Sequence, residues 1–494
     1  MIAQGDASGP ELEVPDIEIG TPLSDRSGSA GLLGLIMKFL ESTGNVLLIQ
    51  GPPGTGKTTL ALELLRRIEG PRIGSRTVPP NRLYISSRVS PPRLRKHFPW
   101  LNEVVDSISG RTAKGNVPEG VNDFRVSQAD SILSKVLNMK HSSQRSLIVI
   151  DSWEGALRNT TEEGRRMLES AILSEPEESK VSVVLVNEGG QTGDMSHLVD
   201  GVVNLSLSQL EGRRVRTLSV NKLRGLRVET SQGLFSLDKG RFTFLSDSEI
   251  LDATPTRAKM PESIAHSATS FSTGSSDLDK MMKGGIRKGS SLLLDLNNTV
   301  SPVEVRLLLR IIIANFVNQG GTSIIVPTST ISSENVAEAL ARCVGQKVLE
   351  ERVRIAEFNQ TLPPRKWRLL LKGSLEDDAL LFGACWKELT SVSSSIVLAS
   401  DFDKIVQVYG EDLFLPGLAD IGASIRDSAA LSIGLASRPT KLREDFLRIA
   451  DYHVKMQNIN GSLIIYGIKP FTNIHGVSFS FEKGFPALRL TEVV

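Results

Sequence analysis

Residues 46–67 read VLLIQGPPGTGKTTLALELLRR, and the organisation of the whole chain follows from that stretch. The segment 45–50 (NVLLIQ) is a short apolar run that ends in a glycine-rich turn. Over 58–69 the spacing of Leu60, Leu64, Leu65 and Ile68 puts all of them on one side of a helix. The turn between, Gly51-Pro52-Pro53-Gly54-Thr55-Gly56-Lys57-Thr58-Thr59, fits G-x-x-x-x-G-K-[ST]. Gly51, Gly54 and Gly56 allow backbone conformations that aim amide N–H groups inward, around phosphate oxygens. The positive end of the following helix adds to that cradle. Lys57 can then reach the β- and γ-phosphates of a nucleoside triphosphate, and the Thr58 hydroxyl can ligate Mg²⁺. The pattern alone gives false matches; a strand before it and a helix after it are the context that gives it meaning. ATP and Mg²⁺ are the expected cofactors.

Such a loop needs an acidic partner at the end of a nearby apolar strand. Residues 146–150 (SLIVI) followed by Asp151 supply one, with Asp151 expected to hold Mg²⁺ through its water shell. An Asp in that place also suits a helix N-cap. Hydrolysis further needs a group that orients or deprotonates water. Glu154, and Glu188 just past the run 181–187 (VSVVLVN), are the candidates; each also reads as an ordinary surface carboxylate. The expected catalytic residues are thus Lys57, Glu154 and Glu188, and the expected metal pair is Thr58 and Asp151.

Working outward, 82–87 (RLYISS), 202–207 and 215–222 also read as strands. The stretches between them imply crossover connections and a largely parallel sheet. The runs 146–150 and 181–187 are almost continuously apolar, as in strands covered on both faces. The second half repeats this plan. Residues 290–296 (SSLLLDL) correspond to 45–50, 322–327 to 82–87, and 395–400, ending at Asp401, to 146–150. Likewise 448–456 corresponds to 197–205 and 463–469 to 216–222, every offset being about 240–250 residues. Pairs in the same order along both halves indicate a tandem duplication of an α/β domain. The expected division is a flexible tail at 1–27, a first domain at 28–245, a linker at 246–270 rich in Ser, Thr, Pro and charge, and a second domain at 271–494.

Composition narrows the class. Lys+Arg total 57 against 56 Asp+Glu, so only local clusters can speak for an acidic partner. The two cysteines, Cys343 and Cys385, are too far apart for a C-x-x-C, which argues against a disulfide scaffold and for a reducing cytoplasm. Six scattered histidines argue against a zinc site. The apolar run Leu32 to Leu40 is too short to span a bilayer, and the acidic, Gly/Pro/Ser-rich N-terminus does not read as a signal peptide. A cytoplasmic protein without a membrane partner is expected.

Several stretches resemble the RecA-like ATPases of the KaiC type. They are 46–67, 84–101 (YISSRVSPPRLRKHFPWL), 147–152 (LIVIDS), 197–225, and 271–291 (FSTGSSDLDKMMKGGIRKGSS), the last similar to the segment before the P-loop in KaiC-type domains. Within that group the chain is similar to the GvpD type, archaeal regulators of gas-vesicle formation, chiefly through 84–101. The resemblance implies two tandem P-loop domains with mainly parallel sheets. It also implies that Lys222 and Arg224, in the segment similar to K-x-R-G, face the γ-phosphate of a neighbouring subunit, so that a homo-oligomer, ring-shaped in this group, is expected. Two departures stand out. Where the KaiC pattern carries a glutamate pair that activates water, this chain has Arg88 and Val89, so slow hydrolysis is expected. Where the second P-loop should lie, residues 295–304 read DLNNTVSPVE, with no glycine and with Pro302 opposite Lys57. The second domain is therefore expected to keep the fold and to have lost nucleotide binding.

Four basic clusters remain: 88–97 (RVSPPRLRKH), 213–216 (RRVR), 222–224 with Arg227, and 365–368 (RKWR). Each reads as a solvated face, a nucleic-acid surface or a protein contact. The GvpD resemblance favours a protein partner, such as a transcription regulator, for 88–97. Together these readings give a regulatory ATP-binding protein, with a recombinase-like DNA-binding ATPase as the alternative.

Overall fold

Val46–Gln50 is a strand buried along almost its whole length, with Leu47, Leu48 and Ile49 fully enclosed. Each such side chain stabilises the fold by about 2 kcal/mol. In the computed structural model it lies at the centre of a nine-stranded sheet. The structure describes residues 31–42, 44–69, 72–73, 76–77, 80–87, 89–101, 121–123, 133–134, 136–137, 145–158, 160–173, 180–187, 195–245, 262–410, 423–428, 430–482 and 485–494. The expected tail at 1–27 and residues 246–261 of the expected linker lie outside them. Residues 262–269 are described, and they bond to the second half: Asn315 Oδ1 accepts from Ile264 N at 2.8 Å, and Thr269 O accepts from Lys288 N at 2.9 Å.

The first sheet runs, from edge to edge, Thr243–Leu245, Gln232–Ser236, Arg213–Leu223, Gly201–Leu210, Val46–Gln50, Val181–Val186, Ser146–Asp151, Asn81–Ser86 and Val121–Asp123. From Gly201–Leu210 to Val121–Asp123 the pairing is parallel; on the other side it is antiparallel. Helices Leu32–Glu41 and Lys57–Arg67 cover one face, their Ile36, Phe39, Leu40, Leu60 and Leu64 packing on Leu47 and Ile49.

The second sheet runs Arg368–Leu370, Val353–Glu357, Thr322–Val326, Ile396–Asp401, Leu431–Ala436, Ser290–Leu296, Tyr452–Ile459, Ser462–Lys469, His475–Glu482 and Phe485–Glu492. All five pairs expected from the repeat occupy equivalent places in the two sheets. Thus Ser290–Leu296 sits between Leu431–Ala436 and Tyr452–Ile459, as Val46–Gln50 sits between Val181–Val186 and Gly201–Leu210. The fold is α/β with two tandem, mainly parallel sheets.

The two sheets meet at their antiparallel ends. Val215, Leu234 and Leu245 of the first pack with Ile464, Tyr466, Ile474 and Val493 of the second. At the tip of the hairpin joining Gly201–Leu210 to Arg213–Leu223, Glu211 pairs with Lys455 at 2.6 Å. Arg213, 3% exposed, donates to Thr472 O at 2.7 Å and Gly467 O at 2.6 Å, and its guanidinium lies 3.9 Å from the Phe471 ring centroid. This corrects the reading of 213–216 as a positive surface: Arg213 and Arg216 are buried inside the chain, and only Arg214 is exposed. The 365–368 cluster changes as well. Trp367 is buried, and Arg368 is enclosed against Glu334 and Pro363 O, so no aromatic is left there to stack a base.

Candidate functional site

Parallel strands deliver their C-terminal ends to one edge of a sheet, where Gln50 hands the chain to the loop 51–56 and Asp151 ends the strand two places away. Gly51, Gly54 and Gly56 have φ of 148°, 78° and 103°, values that favour glycine. At Gly51 a Cβ would lie 2.3 Å from Leu205 O, so that position also has no room for a side chain. At Gly54 a Cβ would meet nothing within 4 Å, which leaves that backbone open to a ligand. The helix Lys57–Arg67 starts directly after Gly56, with no side chain capping its first turn. Its N–H groups and the loop amides therefore face the same space, a cradle fitted to phosphate oxygens.

Lys57 is buried, and its ammonium donates to Gly51 O at 2.5 Å and Pro52 O at 2.9 Å, at the start of the loop. Thr55 Oγ1 donates to Pro52 O at 2.9 Å. Pro53 and Thr59 belong to the same run, Thr59 in the first turn of the helix. The structure brings the expected metal pair together: the Thr58 hydroxyl donates to Asp151 Oδ2 at 2.7 Å. A hydroxyl and a carboxylate are hard oxygen donors, suited to Mg²⁺. Asp151 also accepts from the Tyr84 hydroxyl at 2.6 Å. Burial, then the adjacent Asp151 carboxylate, holds the Tyr84 phenol well above its ordinary pKa, so it stays a donor. Tyr84 was not among the residues singled out from the sequence. The signal was there, a lone phenol inside the strand Asn81–Ser86, whose register sets Ser86 beside Asp151.

The N-cap alternative for Asp151 passes to its neighbour. Ser152, not Asp151, caps the short helix Trp153–Leu157, its side chain accepting from Gly155 N. Glu154 lies half-buried in the first turn of that helix, immediately beyond Asp151. Glu188 and Arg88 fall outside the described residues. Val89 packs against the first-half core, and its N–H donates to Ser86 Oγ at 3.0 Å.

Lys222 and Arg224 are not at this loop. Lys222 pairs with Val202, which pairs with Leu48, so along the strand axis it lies about 10 Å short of Gly51 at roughly 3.3 Å per residue. Its ammonium points further away, to Val199 O at 2.6 Å and Ser196 O at 3.3 Å. Arg224 is exposed and bonds Asp200 at 2.9 Å.

The corresponding place in the second half has different chemistry. Asp295, near the end of Ser290–Leu296, accepts from Arg443 at 2.6 Å and lies 3.1 Å from His453 Nε2. Burial would raise its pKa, but the hydrogen bonds from His453 and Arg443 outweigh it and lower the value. Helix Pro302–Asn318 begins with a complete capping box: the Ser301 side chain accepts from the Glu304 backbone as well as from Val303 N, and the Glu304 carboxylate accepts from Ser301 N at 2.7 Å.

The comparisons with known proteins agree with this geometry. Residues 41–247 match the family model described as ATPase: KaiC. Protein GvpD1 of Halobacterium salinarum is 24% identical over 518 aligned residues, which cover 92% of this chain and 95% of the relative. Protein GvpD2 of the same organism is 26% identical over 490, with the same coverage of both chains. Over residues 41–247 the chain matches the KaiC-type ATPases, and over 92% of its length it is similar to the two GvpD proteins, so the comparisons support a GvpD-like, KaiC/RecA-like P-loop ATPase.

Proposed function

We propose that the chain is a slowly hydrolysing, ATP-binding regulatory protein whose nucleotide state controls its assembly and its contact with a protein partner, such as a transcription regulator, in the cytoplasm. The observation that carries this reading is the Thr58–Asp151 pair, 2.7 Å apart, at the mouth of the glycine loop. Mg²⁺ with ATP supplies an electrophilic γ-phosphoryl group. The loop amides and Lys57 bind the phosphates, Thr58 and Asp151 hold the ion, and Tyr84 fixes the carboxylate. Slow turnover is supported by Val89, which offers packing where the KaiC pattern offers a carboxylate. Glu154 and Glu188 remain the candidate bases.

Lys222 and Arg224 cannot serve their own loop from the far part of the sheet. A second chain's γ-phosphate is the target that suits them, in the manner of an arginine finger. ATP-dependent self-association, lost in a Lys222→Ala/Arg224→Ala double variant that still binds ATP, is expected by ultracentrifugation. A chain that stays monomeric with a slowly hydrolysed ATP analogue removes that role. For the partner, Arg93, Arg95 and Lys96 stand exposed on helix Pro91–His97. The alternative of a recombinase-like DNA-binding ATPase loses support, because Arg213, Arg216, Trp367 and Arg368 are buried. Calorimetry tests the central reading: one ATP per chain, with Lys57→Ala weakening binding at least tenfold, on the order of 1.4 kcal/mol or more. Unchanged affinity in that variant sinks it.

A further inference from the structure

Arg216 lies on the strand Arg213–Leu223, away from any surface, at 6% exposure. One of its guanidinium nitrogens donates to the carbonyl of Gly54, at the tip of the phosphate loop, at 2.9 Å. Its Nε donates to the main-chain oxygen of Val494. A second link runs beside the first. The Ser236 hydroxyl donates to Glu492 O, and the next residue, Leu237, lies so close to Gly56 that a Cβ there would come within 2.8 Å of Leu237 Cδ1. Glu492 ends the strand Phe485–Glu492, and Val493 and Val494 follow it directly; the strand is anchored in the second half. Leu488 O accepts from Ser275 Oγ at 3.0 Å, and Leu490 N donates to Asp277 at 3.1 Å. Two glycines of the loop are thus tied, through Arg216 and through Ser236–Leu237, to the last strand of the other sheet.

The physics of a peptide plane gives this contact a role. In a trans peptide the C=O and N–H point in opposite directions. A guanidinium that holds Gly54 O on the outside of the loop turns the Thr55 N–H to the inside. There it makes only a long bond, 3.4 Å, to Pro52 O. Charge-assisted hydrogen bonds are about twice as strong as neutral ones, so Arg216 outweighs that weak turn bond in setting the plane. An anion that takes the Thr55 N–H acts on the same plane, and the rigid fork of Arg216 carries the adjustment to Val494.

We propose that Arg216 is a positioning residue for the phosphate loop and the route by which nucleotide occupancy reaches the last strand of the second half. This rests on the nucleotide reading of residues 51–59. The second half is then a built-in reader of the first.

Hydrogen exchange of the full chain, with and without ATP·Mg²⁺, tests it. In the wild type ATP slows exchange at 51–59 and also changes it at 485–494. Arg216→Gln, which keeps hydrogen bonding but not charge, is expected to bind ATP several-fold more weakly and to lose the response at 485–494. Arg216→Lys, which keeps the charge but not the fork, is expected to retain part of the affinity and little of the response. Protection at 51–59 without any change at 485–494 in the wild type overturns the coupling and leaves the nucleotide site standing. An undiminished response at 485–494 in Arg216→Gln also overturns it. No protection at 51–59 sinks the site assignment, and the coupling with it.

Discussion

Two helices begin at equivalent places in the two halves, Lys57–Arg67 and Pro302–Asn318, and their first turns are chemically opposite. The first has a left-handed glycine before it, no capping side chain and Lys57 at its first position. The second has Ser301 as cap, a proline that lacks an N–H at its first position, and Glu304 folded back onto the cap. A helix start with no capping side chain, together with a cation, suits a phosphate. A turn already satisfied by its own hydroxyl and carboxylate leaves a phosphate nothing to bond and adds like charge. The two sheets share their strand order, and the few residues at the strand–helix junction set them apart. The acidic strand ends diverge in the same way. Asp151 accepts from Thr58 and Tyr84, whereas Asp401 caps the helix Phe402–Tyr409 by accepting from Lys404 N at 2.7 Å.

If Asp295 and Arg443 have taken over the second site as a structural pair, separating them should produce the largest effect. Arg443→Met leaves the Asp295 carboxylate half-buried with His453 as its remaining side-chain hydrogen-bond partner. Breaking a buried pair costs about 3–5 kcal/mol, and partial exposure of Arg443 brings the expected loss to about 2–3 kcal/mol at pH 7. The Asp295 pKa is lowered in the folded chain, so its stabilisation is full above the unfolded value near 4 and fades as pH falls through the folded value. The penalty of the variant should therefore shrink in acid. Urea unfolding at neutral and acid pH measures it; a loss below 0.5 kcal/mol at pH 7, no more than an exposed pair gives, breaks the structural reading of this pair.

How much of this was legible in the sequence follows from the range of each interaction. The phosphate loop is local, and its glycines, Lys57 and Thr58 announce it within nine residues. Asp151 was found because a buried parallel strand leaves a continuous apolar run that ends where the site begins. The repeat survived because strand burial constrains residue type at every position. Charge runs carry no such information. Whether Arg213 and Arg216 face water or a carbonyl hundreds of residues away depends on how the two sheets dock, and no local pattern records that. Trp367 lies in a charge run too, yet it packs into the core of the second half beside Val353 and Ile355, which its charged neighbours do not announce. Gln232–Ser236 and Leu431–Ala436 were not anticipated, their glycines and serines diluting the apolar period.

A smaller effect separates the two strand-end aspartates. Burial raises the Asp401 pKa from the ordinary 3.8 to about 6 and outweighs the lowering by its hydrogen bond from Lys404 N. A group whose pKa is raised on folding binds more protons in the native state. Its ionisation therefore costs stability, progressively from about pH 4 to about pH 6 and fully above. Asp401→Asn keeps the cap and removes the charge. It should stabilise the chain at pH 7–8 by about 2 kcal/mol, with the gain fading as pH falls toward 4. Thermal unfolding across that range measures it. A loss of stability at pH 7 breaks the view that Asp401 is a buried cap rather than a carboxylate awaiting an ion.

The smallest expected effect is the sharpest on the question of one site or two. Ser301 Oγ accepts from Val303 N at 3.3 Å, a long bond, while Glu304 separately accepts from Ser301 N at 2.7 Å. Ser301→Ala removes the hydroxyl's bonds to Val303 N and to the Glu304 backbone and leaves the Glu304 carboxylate's bond to residue 301 N, and losing a cap costs about 1 kcal/mol. The same change frees an N–H at the helix start, so it tests whether the capping box alone keeps ATP away. Three features say that it does not. Pro302 has no N–H to offer, Glu304 still places a carboxylate at the helix end, and 295–304 holds neither a glycine to turn its amides nor a lysine to meet a γ-phosphate. Ser301→Ala should therefore lower stability by about 1 kcal/mol in urea and leave calorimetric ATP stoichiometry and affinity as in the wild type. A second binding event in that variant would show that the second half lost its nucleotide through one blocked turn, and that the loop's glycines and lysine matter less than the contrast between the two helices implies.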